Sequence, residues 1–221
     1  MKKLVSLLIA LLFVFSTQSV SIASEAGAHS VSGKESHKMM IEGNKRYVAD
    51  KATHKHQDST RRMDVTGGQH PFAVVISCSD SRVPPEIIFD QGIGDLFVIR
   101  LAGNIVDDAA LGSIEYAIEH LGTKYIMVLG HESCGAVKAT VDGGEAPGHI
   151  GCIVKAIKPA IDSVRGRTAD LPEVGMRANV AMTVQMLKTA DPFLKPLFEK
   201  GELMIVGARY DLDDGRVDIM P

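Results

Sequence analysis

Residues Val74–Val83 read VVISCSDSRV, and the fold is decided there. Val74, Val75 and Ile76 form an apolar, β-branched run of the kind that packs as a buried strand. The run breaks into a polar turn carrying Cys78, Asp80, Ser81 and Arg82. A hydrophobic strand feeding a polar loop is how an α/β sheet presents chemistry, because ligands sit outside the carboxyl ends of parallel strands. Tyr125–Gly130, YIMVLG, repeats the plan and runs into His131, Glu132, Ser133 and Cys134. Two strand ends that deliver thiols and an imidazole can converge on one metal.

Working outward from this stretch, Pro84 and Pro85 stop the first strand and can start a short helix at Glu86. Leu96–Leu101 predicts a second strand. From Asp107 to Leu121 the apolar residues Leu111, Ile114, Ile118 and Leu121 recur at helical spacing, with Gly122 as the stop. A helix is expected from near Ser133, a Gly/Pro-rich loop over Gly143–Gly151, and helices over Cys152–Val164 and Glu173–Thr189. Leu203–Ala208 predicts a fourth strand, and Gly215 a hairpin to a short fifth. On the amino-terminal side, Glu35 to Lys51 reads as a helical arm, followed by a polar connection to Gly68. Strands alternating with helices specify a single α/β domain over 35–221, a mostly parallel central β-sheet flanked by helices with an N-terminal helical arm.

The chain has 221 residues and a formal net charge of −3, and it carries no basic stripe, which argues against nucleic acid as a partner. Residues 1–23 stand apart: Lys2 and Lys3 precede the run LVSLLIALLFVF, and Ser21 and Ala23 supply the small residues of a cleavage site. The run is short for a membrane span, which needs roughly 20 apolar residues. The expectation is a signal peptide cleaved after Ala23, with Ala26 and Ala28 as rival sites and an uncleaved anchor as the alternative. Cleavage would remove Lys2 and Lys3 and no acid, taking the charge from −3 to −5. The product would be exported, periplasmic or secreted, with no membrane attachment and a flexible mature N-terminus over 24–34. Export bears on the three cysteines, Cys78, Cys134 and Cys152. An oxidising compartment favours a Cys78–Cys134 disulfide, whereas a metal clamp would hold both as thiolates. Cys152 opens a helix and is expected to be a small buried side chain.

Zinc favours tetrahedral sites of thiolate sulfur and imidazole nitrogen, and Cys78, His131 and Cys134 supply three such ligands. His131 and Cys134, three residues apart, can face the same way across a first helical turn. Three ligands leave a fourth position for water, the arrangement of a catalytic zinc. Asp80 is placed to take a proton or hydrogen bond from that water, and Arg82 to keep Asp80 ionised through a bidentate fork.

With both motifs in place, the chain resembles the β-class carbonic anhydrases, from Glu42, Gly43 and Asn44 through Gly207–Leu212. The resemblance implies one Zn²⁺ per chain on Cys78, His131 and Cys134, with water or Asp80 as fourth ligand. It implies reversible hydration of CO₂ to bicarbonate and a proton, by attack of zinc-bound hydroxide. Gln69 matches a glutamine that hydrogen-bonds substrate, Phe97 and Tyr116 match residues lining the CO₂ pocket, and Gly135 follows the last ligand as in the family. Ala102 stands where some members carry valine. Val75 stands where members with an inhibitory bicarbonate pocket carry tryptophan, so the open form, with water on the metal, is expected. His70 and Tyr116 are candidate proton shuttles. The family further implies a homodimer or homotetramer with the sheet extended across subunits and pocket residues shared. Two rival functions stand beside this one: an exported zinc-binding or thiol redox-sensing protein without hydratase activity, and a hydrolase of a CO₂ analogue such as CS₂.

Overall fold

The computed structural model describes residues 31–221; the expected signal peptide and residues 24–30 lie outside them. Helix α1 (Gly33–Val48) begins two residues before the expected Glu35, so Gly33 and Lys34 belong to the helix and not to the expected flexible segment. The reason is local: the Ser32 side chain accepts the Glu35 N–H at 3.2 Å, an N-cap. Val31 also packs on the core beneath the sheet.

After α1 come α2 (Ser59–Asp64), β1 (Ala73–Ser77), α3 (Pro85–Ile88), β2 (Leu96–Arg100) and a 3₁₀ turn at Ala102–Asn104. Then follow α4 (Asp108–Glu119), β3 (Tyr125–His131), α5 (Gly135–Asp142), α6 (Ile150–Val164), α7 (Leu171–Lys188), α8 (Leu194–Glu199), β4 (Met204–Tyr210) and β5 (Val217–Ile219). The strands form one sheet in the order β2-β1-β3-β4-β5. The first four are parallel and β5 returns antiparallel on β4. Pro159 lies inside α6, which continues past it to Val164. Among the described residues no helix is long and apolar enough to cross a membrane.

The period of two in each strand sends side chains to opposite faces. Val74, Ile76, Ile126, Val128 and Ile205 pack with residues of α4 through α8. Ala73, Val75, Tyr125, Met127 and Leu129 pack with Met40 of α1 and with Ile88 and Phe89 at the end of α3. Both faces of the central strands are thus covered, which accounts for their unbroken apolar sequences. Gly43 lets α1 approach α3: a Cβ there would lie 1.8 Å from the Phe89 carbonyl oxygen. Next to it, buried Asn44 donates to the carbonyls of Ile88 (3.2 Å) and Gly215 (2.9 Å) and accepts the Val217 N–H (2.9 Å). One side chain joins α1, α3 and the β4–β5 hairpin.

Candidate metal centre

The site forms where β1 and β3 end side by side, Ser77 being in register with Leu129. Cys78 follows β1, His131 is the last residue of β3, and Cys134 is the N-cap of α5. Ser133, at φ 53°, makes the left-handed turn between the last two. One Nδ1 or Nε2 of His131 and the two Sγ atoms all lie within 4.8 Å of one another, and all three residues are buried. The three cysteines are free thiols, so the disulfide is not formed.

The surroundings aim these atoms. His131 Nδ1 donates to the Glu132 carbonyl at 2.8 Å, which leaves Nε2 as the lone-pair nitrogen. That Nε2 is fully buried and has no hydrogen-bond partner. Cys78 Sγ accepts the Gly103 N–H at 3.2 Å. Gly103 sits at φ +69°, and a Cβ on it would come within 2.5 Å of Ile157 Cδ1; only glycine fits. Buried Asn179 fixes the same turn by donating to the Gly103 carbonyl at 2.8 Å. The thiol of Cys134 hydrogen-bonds to Cys78, and this sharing draws Cys78 toward thiolate and pushes Cys134 up. Two thiols and one imidazole nitrogen, buried, mutually close and with a nitrogen left unpaired, are a donor set that fits zinc.

Asp80 stands at the mouth. Its carboxylate is forked by Arg82, with Nε to Oδ1 at 3.0 Å and a terminal nitrogen to Oδ2 at 2.8 Å, and also accepts the Arg82 backbone N–H at 2.9 Å. The fork holds the carboxyl down at about 2, so Asp80 is an anion throughout the neutral range. Oδ2 lies 3.9 Å from His131 Nε2. Arg100, absent from the sequence expectations, holds this loop from beneath. It donates to the carbonyls of Cys78 (3.0 Å) and Asp80 (2.5 Å). Its signal was a single basic residue ending the apolar strand LFVIR.

A family profile described as carbonic anhydrase matches residues 73–217, from the first strand of the sheet to the first residue of the last. The chain belongs to the β-class carbonic anhydrase family. A carbonic anhydrase of Mycolicibacterium smegmatis is 45% identical over 188 residues, covering 82% of this chain and 90% of that protein. Carbonic anhydrase 2 of Mycobacterium tuberculosis is 43% identical over 185 residues, covering 81% and 88%. Among solved structures, one of two tetrameric β-carbonic anhydrases from Sordaria macrospora matches with a TM-score of 0.68 at 27% identity, covering 84% of this chain and 97% of that one. The β-carbonic anhydrase of Coccomyxa in complex with acetazolamide matches with a TM-score of 0.68 at 27% identity, covering 81% and 84%. As a carbonic anhydrase, the chain catalyses interconversion of CO₂ and bicarbonate. Neither the thiol-sensor nor the CS₂-hydrolase reading finds support in these matches.

Not every expected pocket residue of the carbonic anhydrase meets the cluster within one chain. Ala102 opens the 3₁₀ turn beside Cys78, and Gly135 is the exposed first residue of α5 after Cys134. Gln69 and His70, by contrast, are exposed in the loop before β1, while Cys78 follows its other end. A strand of this length spans roughly 17 Å at 3.3 Å per residue, more than the three residues between Gln69 and the strand can double back over. Phe97 is in register with Val74, four positions and roughly 13 Å short of Cys78. Tyr116 is 47% exposed on α4, its ring beside His120 in a surface groove that also includes Phe193. Cys152 corrects a further expectation: it is exposed, and its Sγ donates to the His149 carbonyl at 2.9 Å. The buried side of α6 is supplied instead by Ile157, Ala160 and Ile161.

Proposed function

We propose that Cys78, His131 and Cys134 hold one zinc ion per chain, that Asp80 accepts a hydrogen bond from the nucleophile of the hydration reaction, and that Arg82 keeps Asp80 ionised. The observation that carries this reading is the buried, unpartnered His131 Nε2 between two free thiols. A zinc ion bound by these residues supplies Lewis acidity, lowering the pKa of water so that hydroxide is available near neutral pH. The chain's own residues do the remainder. The Glu132 carbonyl keeps the proton on Nδ1 of His131. Arg82 occupies Asp80 with a bidentate contact, which keeps the carboxylate ionised. Asp80 Oδ2, on the cluster side, accepts a hydrogen bond from the nucleophile and orients it toward CO₂.

Gln69, Phe97 and Tyr116 serve the pocket of a second copy of the chain. Supporting this, β2 ends the sheet and all five of its residues are only half-buried, although four are apolar. An apolar strand with a free edge is suited to continuing the sheet into a partner. Export of the mature protein rests on the charged, apolar and small-residue pattern of residues 1–23, and is tested by cell fractionation with amino-terminal sequencing of the product. The central experiment is stopped-flow CO₂ hydration with zinc determined on the same sample. About one zinc per chain, with zinc and activity both lost in Cys78→Ser, is expected; hydration undiminished in that variant refutes the reading.

A further inference from the structure

Glu132 lies between two of the three cluster residues and contributes no ligand, yet every polar group it owns is engaged. Its N–H donates to the Tyr210 carbonyl at 3.2 Å, and its carbonyl accepts from His131 Nδ1. One carboxylate oxygen accepts the Leu212 N–H, and the other is 3.2 Å from an Arg209 terminal nitrogen. Arg209 lies on β4 in register with Gly130 and is only 9% exposed. It also donates to Glu173 at the start of α7 and to Asp211 just after β4, both at 2.8 Å. Three carboxylates thus converge on one guanidinium. Oxygens of Glu132, Asp211 and Asp213 lie within 4.8 Å of one another, so without Arg209 like charges would push Glu132 from its seat.

We infer that Arg209 is a positioning residue for the metal centre: by gripping the Glu132 carboxylate it fixes the backbone between His131 and Cys134, and with it the Glu132 carbonyl that orients the imidazole. The inference rests on the zinc reading above. Partners of this kind tune affinity by about 10–100-fold in metal sites.

The test is the rate at which the zinc-loaded, full-length mature protein releases zinc to a colorimetric chelator, with cobalt-substituted absorption spectra recorded alongside. Arg209→Ala and Glu132→Ala are each expected to release zinc at least about tenfold faster and to change the cobalt bands. The double variant should release it no faster than the faster single, because both act through one contact. Glu132→Gln keeps an acceptor for the Leu212 N–H but loses the charged contact and sets an amide N–H₂ against Arg209, so it should also release zinc faster than wild type. Arg177→Ala, which removes only a neighbouring contact to Glu173, should release zinc at the wild-type rate. Release from Arg209→Ala at the wild-type rate, or additive effects of the two alanine variants, overturns the inference. Should Arg209→Ala fail to fold, Glu132→Gln decides: release faster than wild type supports the inference, and release at the wild-type rate overturns it. A wild-type protein that takes up no zinc would overturn the zinc reading and this inference together; normal uptake without the Arg209 effect would overturn this one alone.

Discussion

Gly103→Ala puts the rigidity of the metal centre to a quantitative test. The residue sits at φ +69°, where a Cβ costs about 1–2 kcal/mol. The added methyl would meet Ile157 Cδ1 at 2.5 Å and Ala136 Cβ at 3.1 Å, and such overpacking of a filled core costs about 1–3 kcal/mol. Together these give about 3 kcal/mol of destabilisation, or roughly 6–12 °C in Tm for a domain of this size. The Ile157 contact can be removed separately. Ile157→Val deletes the offending Cδ1 and on its own should cost about 1 kcal/mol. If steric conflict at that atom is real, the double variant is less destabilised than the two singles combined, by about 1 kcal/mol. Urea unfolding at fixed protein and zinc concentrations measures all three. Additivity of the two substitutions, or a Gly103→Ala protein within about 0.5 kcal/mol of wild type, would refute the packing argument.

Three further outcomes are expected. Arg82→Gln removes the fork that lowers the Asp80 carboxyl, so its pKa should rise from about 2 toward the ordinary aspartate range. Because the anion is the useful form and is lost as pH falls through that pKa, the acid limb of the dehydration rate should move to higher pH; an unmoved limb counts against the Asp80 role. Asn44→Ala leaves two carbonyls and an N–H without their partner, and should cost about 3 kcal/mol at roughly 1 kcal/mol per bond while zinc per folded chain stays constant. Co-assembly of Gln69→Ala with Cys78→Ser chains should restore about a quarter of wild-type activity, since half of randomly mixed dimers carry one intact site. No recovery in verified mixed dimers would mean that Gln69 does not serve a partner's site.

The convergence of Cys78, His131 and Cys134 was legible because parallel strands put their carboxyl ends on one side, and all three residues stand at or just beyond the end of an apolar run. Helix α2 was not: none of its residues is buried, so its sequence has no apolar period, and an Asp58 cap on Arg61 is its main mark. The burial of Cys152 was misjudged because helix position alone does not say which turn meets a neighbour. Gln69, Phe97 and Tyr116 match a motif in linear order, but their distance from the cluster depends on strand length and register. The clamp on Glu132 needed β4, whose Arg209 lies 77 residues away in sequence.

Asn44 has a consequence in time as well as in space. Its partners Gly215 and Val217 come 171 and 173 residues later. Helix α1 therefore waits for a hairpin made much later, and this part of the molecule closes only once that hairpin has been synthesised. Loop closure over such a separation delays the contact, and until then the α1 surface remains available to chaperones. Moving the hairpin by circular permutation, so that it is synthesised beside α1, should shorten that interval and hasten protection of the Val217 amide from hydrogen exchange during refolding.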